Sequence, residues 1–159
     1  MQEFPSALKL ATVWLLLGTL VFLAFQAWQA HQRRSQFNWA GGVIELRRAA
    51  DGHFYWPGRV DGVEVEFLVD TGATTTALPQ RLAERLKLES IGEMTSSTAG
   101  GTAHGWIGRV RLDLDGGVQV QRLRVGVLPA LQSPLLGMDV LSHLRFSQQA
   151  GTLRIEAAR

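Results

Sequence analysis

Two kinds of hydrophobic pattern divide the chain. Residues 10–30 form a run of 21 without a charged side chain, bounded by Lys9 on one side and by His31, Arg33 and Arg34 on the other. Leu, Val, Phe, Ala and Trp dominate it. At ~1.5 Å per residue such a helix crosses a hydrocarbon core of about 30 Å. Trp14 and Trp28 lie toward its two ends, where indole rings favour the headgroup layer. The pattern predicts an uncleaved transmembrane helix over residues 10–30, with a short tail over 1–9. A secretory signal peptide is the competing reading, with the stretch from Ala27 to Ala30 as a weak cleavage site. A helix apolar on every face does not suit the core of so small a chain.

After the arginines the pattern changes to short β-rich runs separated by turn residues. A connector is expected over residues 31–51 and a compact domain over residues 52–159. Within the domain, His53-Phe54-Tyr55-Trp56 leads through Pro57-Gly58 to Asp61-Gly62, and then to Val63-Glu64-Val65-Glu66-Phe67-Leu68-Val69. Asp-Gly between two such runs predicts a hairpin, because both central positions of a type I′ turn need positive φ. Further strands are expected over residues 107–114 and 118–128 and, around Ala150-Gly151, over 145–149 and 152–156. Only residues 79–88 and 138–144 read as helices. Many short strands with two short helices define a mainly β barrel or sandwich.

Composition narrows the chemistry. The length of 159 residues suits about one domain. With 46% hydrophobic and 19% charged residues the chain is not a disordered one. Sixteen Lys+Arg against fourteen Asp+Glu leave +2, and no basic stripe for nucleic acid follows from that. The absence of cysteine removes disulfides, thiolate metal sites and a Cys nucleophile together. Phosphate-loop, nucleophile-elbow and zinc-helix motifs are missing. The four histidines, at 31, 53, 104 and 143, are scattered, so neither a metal nor another cofactor is expected.

One constellation stands out. Phe67-Leu68-Val69-Asp70-Thr71-Gly72-Ala73-Thr74-Thr75 places an acid directly after a strongly apolar strand, then a hydroxyl residue, then glycine. A carboxylate there costs free energy if it is buried unpaired, so it needs a partner or a use. An ordinary strand-ending turn would account for the Asp-Thr-Gly tripeptide by itself.

Together with Leu135-Leu136-Gly137-Met138-Asp139-Val140-Leu141 downstream, this run resembles the retropepsin-like aspartic proteases, and among them the bacterial group with a single membrane span. The resemblance covers nearly all of residues 52–156. It implies a closed β-barrel that is one half of an acid protease, and a hydrolase that cuts protein or peptide substrates. In such enzymes two carboxylates share one proton, because like charges about 3 Å apart cannot both ionise, and a water held between them attacks the peptide bond. This chain has one Asp-Thr-Gly, so the resemblance implies a homodimer with Asp70 from each copy on a two-fold axis.

The resemblance also assigns roles. Thr71 would bond across the axis to the opposite loop, Gly72 would allow close backbone approach to the carboxylate, and Ala73 would sit beside substrate. The Gly-, Ser- and Thr-rich residues 95–106 correspond to the flap, with Gly100, Gly101 and Trp106 expected against substrate; a mobile surface loop is the plainer alternative. Trp106 could instead anchor the base of the hairpin. Asp139 lacks the Thr-Gly of a second catalytic loop and reads as the start of the short helix, where a carboxylate suits exposed N–H groups. Leu135, Leu136 and Gly137 are expected in the core beneath the loop. The strand ends that would build the dimer are the connector and Arg154-Ile155-Glu156.

The arginines after the span place the domain in the cytoplasm by the positive-inside rule, whereas the resemblance implies the periplasm, and the periplasmic placement is the one expected. A non-catalytic peptide-binding or scaffold domain of the same fold is the alternative function, and a membrane protein whose β domain is purely structural is a third.

Overall fold

A computed structural model describes residues 6–32, 37–40, 42–98 and 101–156. The chain divides into two units, a helical one ending at Arg34 and a β-rich one from Ser35 onward.

Helix α1 spans Ser6–Gln32, 27 residues, which at ~1.5 Å each makes about 40 Å. Side chains are described for residues 10–26 of it, and all are exposed, including Trp14, Leu16 and Phe22. The Thr19 hydroxyl donates to the Leu15 carbonyl at 2.8 Å, which satisfies the polar atom inside the helix itself. Among the described residues no helix is long and apolar enough to cross a membrane, and the described side chains stop short of the full helix.

The second unit holds two sheets. Strands β1 (Phe37–Ala40), β2 (Val43–Arg47), β10 (Arg145–Gln149) and β11 (Thr152–Glu156) form one, in the order β1-β2-β11-β10 and antiparallel throughout. Strands β3 (Tyr55–Val60), β4 (Val63–Val69), β5 (Ala77–Pro79), β6 (Gly92–Thr98), β7 (Gly101–Leu114), β8 (Val118–Leu128) and β9 (Leu135–Leu136) form the other, ordered β3-β4-β9-β5-β8-β7-β6. An additional β3–β7 pairing closes this sheet into a barrel, and β6 projects beyond it as the outer strand of a hairpin with β7. Two short helices complete the unit, α2 (Gln80–Arg85) and α3 (Met138–Leu141).

Local chemistry explains these elements. Asp61 and Gly62 take φ of 47° and 86°, the left-handed pair that the β3–β4 hairpin requires. Alternation in β2 buries Ile44 and Leu46 and leaves Arg47 exposed. Trp56, Val60, Phe67, Leu78, Leu112 and Leu136 meet inside the barrel with no exposed surface. Each such side chain contributes roughly 1.5–3 kcal/mol through the water it no longer contacts. Trp56 keeps its indole N–H satisfied by donating to the Asp115 carbonyl at 2.8 Å.

The structure departs from the sequence reading in several places, one being that residues 138–144 are helical only over Met138–Leu141. The stretch expected as a connector carries β1 and β2, and β2 pairs with β11 across more than a hundred residues of sequence. Residues 79–88 are helical only over Gln80–Arg85, because Pro79 is extended and Lys87 turns left-handed at φ 52°. Arg154-Ile155-Glu156 is not a free edge: β11 lies between β2 and β10, with Ile155 fully buried, so the edges of that sheet are β1 and β10.

Candidate active site

The acidic loop is held by backbone bonds on both sides. β4 delivers the chain to Asp70, whose N–H donates to the Leu136 carbonyl at 3.0 Å, continuing the parallel β4–β9 pairing. The Ala73 N–H then returns to the Asp70 carbonyl at 3.2 Å, closing a tight turn. Within that turn the Gly72 N–H donates to Asp70 Oδ1 at 2.8 Å and fixes the carboxylate. The other oxygen accepts no hydrogen bond from the described residues. Asp70 and Ala73 are half-buried, while Thr71 and Gly72 are exposed. A carboxylate held by one oxygen and open at the other is a base that can orient a water or face a second carboxyl.

The far side of the loop is anchored to α3. The Met138 N–H donates to the Ala73 carbonyl at 2.8 Å and the Asp139 N–H to the Thr74 carbonyl at 3.2 Å. The Asp139 carboxylate accepts from the Thr76 N–H at 3.0 and 2.9 Å and from the Thr76 hydroxyl at 2.7 Å. Thr76 Oγ1 in turn accepts the Gly137 N–H at 3.1 Å. Thr76 is the buried polar residue among those described, 1% exposed, and these bonds satisfy it. Gly137 is required by close approach: a Cβ there would lie 2.6 Å from the Thr75 carbonyl carbon and 2.8 Å from the Thr76 nitrogen. Asp139 does begin the short helix, yet its side chain makes no cap bond to α3 and bonds to Thr76 instead.

Above the loop, β6 and β7 pair in register from Gly92↔Ile107 to Thr98↔Gly101, so the segment expected as a flap is an antiparallel hairpin. Asp70, Gly72, Ala73, Met94, Thr95 and Ser96 are among the walls of a cleft of about 600 Å³ between hairpin and loop. Thr95 Oγ1 and His104 Nδ1, opposite each other across the hairpin, are 3.4 Å apart. Gly101 is exposed on β7, and Gly100 lies outside the described residues. Trp106 does not line this cleft. Its ring and Leu88 both lie within 3.6 Å of where a Cβ on Gly108 would be, which sets Trp106 at the base of the hairpin.

Sequence reasoning located Asp70 and its loop but missed Thr76 and the use of Asp139. A threonine six residues after the acid carries no signal by itself; the register that brings α3 beneath the loop supplies its partner. Among the described residues no group of three or more His, Cys, Asp or Glu could hold a metal ion.

The comparisons agree with this geometry. Residues 56–143 match the family described as "gag-polyprotein putative aspartyl protease", and the chain belongs to that family of retropepsin-like aspartic proteases. A crystal structure of a retropepsin-like aspartic protease from Rickettsia conorii superposes with a TM-score of 0.60 at 29% identity, covering 72% of this chain and 99% of that one. The EIAV protease in complex with an inhibitor shares the fold at a TM-score of 0.50 and 22% identity, over 56% of this chain and 85% of that one. Among curated proteins, one uncharacterized protein of Rickettsia prowazekii is 44% identical over 45 residues, 28% of this chain and 20% of its own length. Another, in the cobV 5′ region of a Sinorhizobium species, is 33% identical over 112 residues, 66% of this chain and 47% of its own length. The chain thus spans less than half the length of either curated relative.

Proposed function

We propose that this chain is a membrane-anchored aspartic endopeptidase that works as a homodimer, with Asp70 of each copy forming the catalytic pair. The observation that carries the reading is the Asp70 carboxylate, fixed through one oxygen by the Gly72 N–H and opening onto a cleft roofed by the β6–β7 hairpin. One carboxylate takes a proton from water while its protonated partner donates to the scissile carbonyl, which requires two acids a few ångströms apart. Asp139 is committed to Thr76, so the second acid comes from a second chain. Thr71 bonds across the two-fold axis, and Ala73, Gly100 and Gly101 meet the substrate. An extended segment fits such a cleft, because the flanking hairpin offers backbone groups for pairing. Trp106 acts by holding the hairpin base.

In this reading α1 is the anchor. Its 27 residues, about 40 Å at ~1.5 Å each, exceed the thickness of a hydrocarbon core, and the described side chains over 10–26 are exposed and uncharged. The domain lies on the periplasmic side and acts on other envelope proteins. Confinement to a bilayer raises the effective concentration of the two copies.

Wild type and Asp70→Asn, offered a peptide library at mildly acid pH, test the proposal. Cleavage by wild type alone supports it; equal cleavage by both removes it.

A further inference from the structure

The outer face of β7 and β8 gathers arginines of which Arg109, Arg122 and Arg124 form no ion pair among the described residues. Arg109 and Arg124 stand directly opposite each other in the β7–β8 register, so both side chains leave the same face, and both are exposed. Like charges in that relation repel. Two residues further on, the register shifts: Arg111 of β7 faces both Gln121 and Arg122 of β8, a bulge whose Arg122 takes φ of 56°. A left-handed arginine bears a steric cost that glycine at that position would avoid, and bulges redirect side chains. Among the described residues the ion pairs are Arg59–Glu64 and Arg111–Asp113; Arg109, Arg122 and Arg124 belong to neither.

Arg122 and Arg124 line a groove of about 510 Å³ together with Ile107, Val120 and Leu123, and Arg109 stands beside Arg124 on the neighbouring strand. The acid that lines it, Asp139, is engaged by Thr76. The groove shares Thr75, Met94 and Gly126 with the Asp70 cleft, so the two cavities lie on either side of one wall. Met94 forms that wall: its sulfur lies 2.5 Å from where a Cβ on Gly126 would be. A chain leaving the cleft in extended form advances ~3.3 Å per residue and reaches the groove within a few residues.

We propose that this groove, lined by Arg122 and Arg124 with Arg109 next to Arg124, is a docking site for an acidic segment of the polypeptide substrate lying a few residues from the bond that is cut. The proposal rests on the protease reading. Charge complementarity selects the occupant: carboxylate side chains relieve the Arg109–Arg124 repulsion and pair with Arg122, while the apolar floor takes the neighbouring side chains.

The test uses the full chain in neutral-lipid nanodiscs and two peptides with one cleavable core, extended by a run of Glu or of Gln. Fluorescence anisotropy on the Asp70→Asn chain reads binding without turnover. The Glu peptide is expected to bind about tenfold more tightly than the Gln peptide, with the difference lost near 0.5 M salt. The preference should vanish in Arg122→Gln/Arg124→Gln and reverse toward a Lys-extended peptide in Arg122→Glu/Arg124→Glu, which also shows that the variants fold. Equal binding of the Glu and Gln peptides, or a preference that survives Arg122→Gln/Arg124→Gln, overturns the proposal. So does arginine-dependent binding of phosphatidylserine vesicles with no Glu preference, which would assign the patch to lipid. Cleavage assays on wild type keep the two claims apart. Turnover without a Glu preference sinks the groove alone; an arginine-dependent preference without turnover sinks the protease reading alone.

Discussion

The Asp139 carboxylate receives both the backbone N–H and the hydroxyl of Thr76, the closest contact being 2.7 Å, and so ties α3 to the chain six residues beyond Asp70. The loop that presents Asp70 is therefore not free-standing. Its start hangs on Leu136 and its end on Met138 and Asp139, three neighbours on one short segment. This arrangement makes a residue with no expected chemistry the support of the one that has it.

Removing that support has a defined cost. Asp139→Ala strands the Thr76 N–H and hydroxyl in a buried site, which should destabilise the domain by about 3 kcal/mol. Thermal melting should show a fall of roughly 10 °C for a domain of this size. Asp139→Asn keeps one acceptor oxygen, so its loss should be about half as large. Proteolytic activity should fall in the same order, because Thr76 no longer holds the end of the Asp70 loop.

Gly137→Ala tests the same junction from the backbone side. The added methyl meets the Thr75 and Thr76 main chain at 2.6–2.8 Å, atoms that cannot move without displacing the loop. A loss of about 2–3 kcal/mol in denaturant unfolding is expected. Ala at Gly62 provides a contrast, since nothing lies within 4 Å of its Cβ and only the left-handed backbone, φ 86°, penalises it, by about 1 kcal/mol.

A pH dependence follows from the turn before β3. Burial raises the Asp51 pKa, but the Tyr55 hydroxyl at 2.6 Å and the His53 N–H at 3.1 Å, with the His53 charge, outweigh it and leave the pKa below its ordinary 3.8. A carboxylate depressed in the folded state stabilises it above the ordinary value, and that stabilisation disappears as pH falls through the lower folded value. Asp51→Asn should therefore show a flatter melting-temperature profile than wild type between about pH 4 and pH 2. The site is exposed, so the difference should be small.

How far the sequence foretold these features depends on how local their causes are. The Asp61-Gly62 hairpin, β8 over Val118–Leu128 and the β10–β11 pair around Ala150-Gly151 match expectation, since alternation and left-handed turn residues lie within a few positions of one another. β6 was expected only from Thr95 on, as part of the flap; its start at Gly92 was hidden because Gly92–Thr98 is polar and rich in Ser and Thr, and pairing with β7 makes it a strand. The Val-Ile-Glu-Leu-Arg alternation of β2 was present but lay in an expected connector, and its partner β11 lies at the other end of the domain. The Asp70 loop was legible because all its residues are consecutive. The Thr76–Asp139 clamp and the meeting of Arg109 with Arg124 were not, because each joins separate elements through strand order and register.

The pairing of Asp70 between two chains is measured by mixing. With total chain held constant, wild type is combined with an equal amount of Asp70→Asn and the initial cleavage rate is recorded after exchange of subunits. If both carboxylates are needed, only pairs of wild-type copies are active, and the rate falls to about one quarter of the pure wild-type value. A rate of about one half, as for chains that act singly, would contradict a shared site.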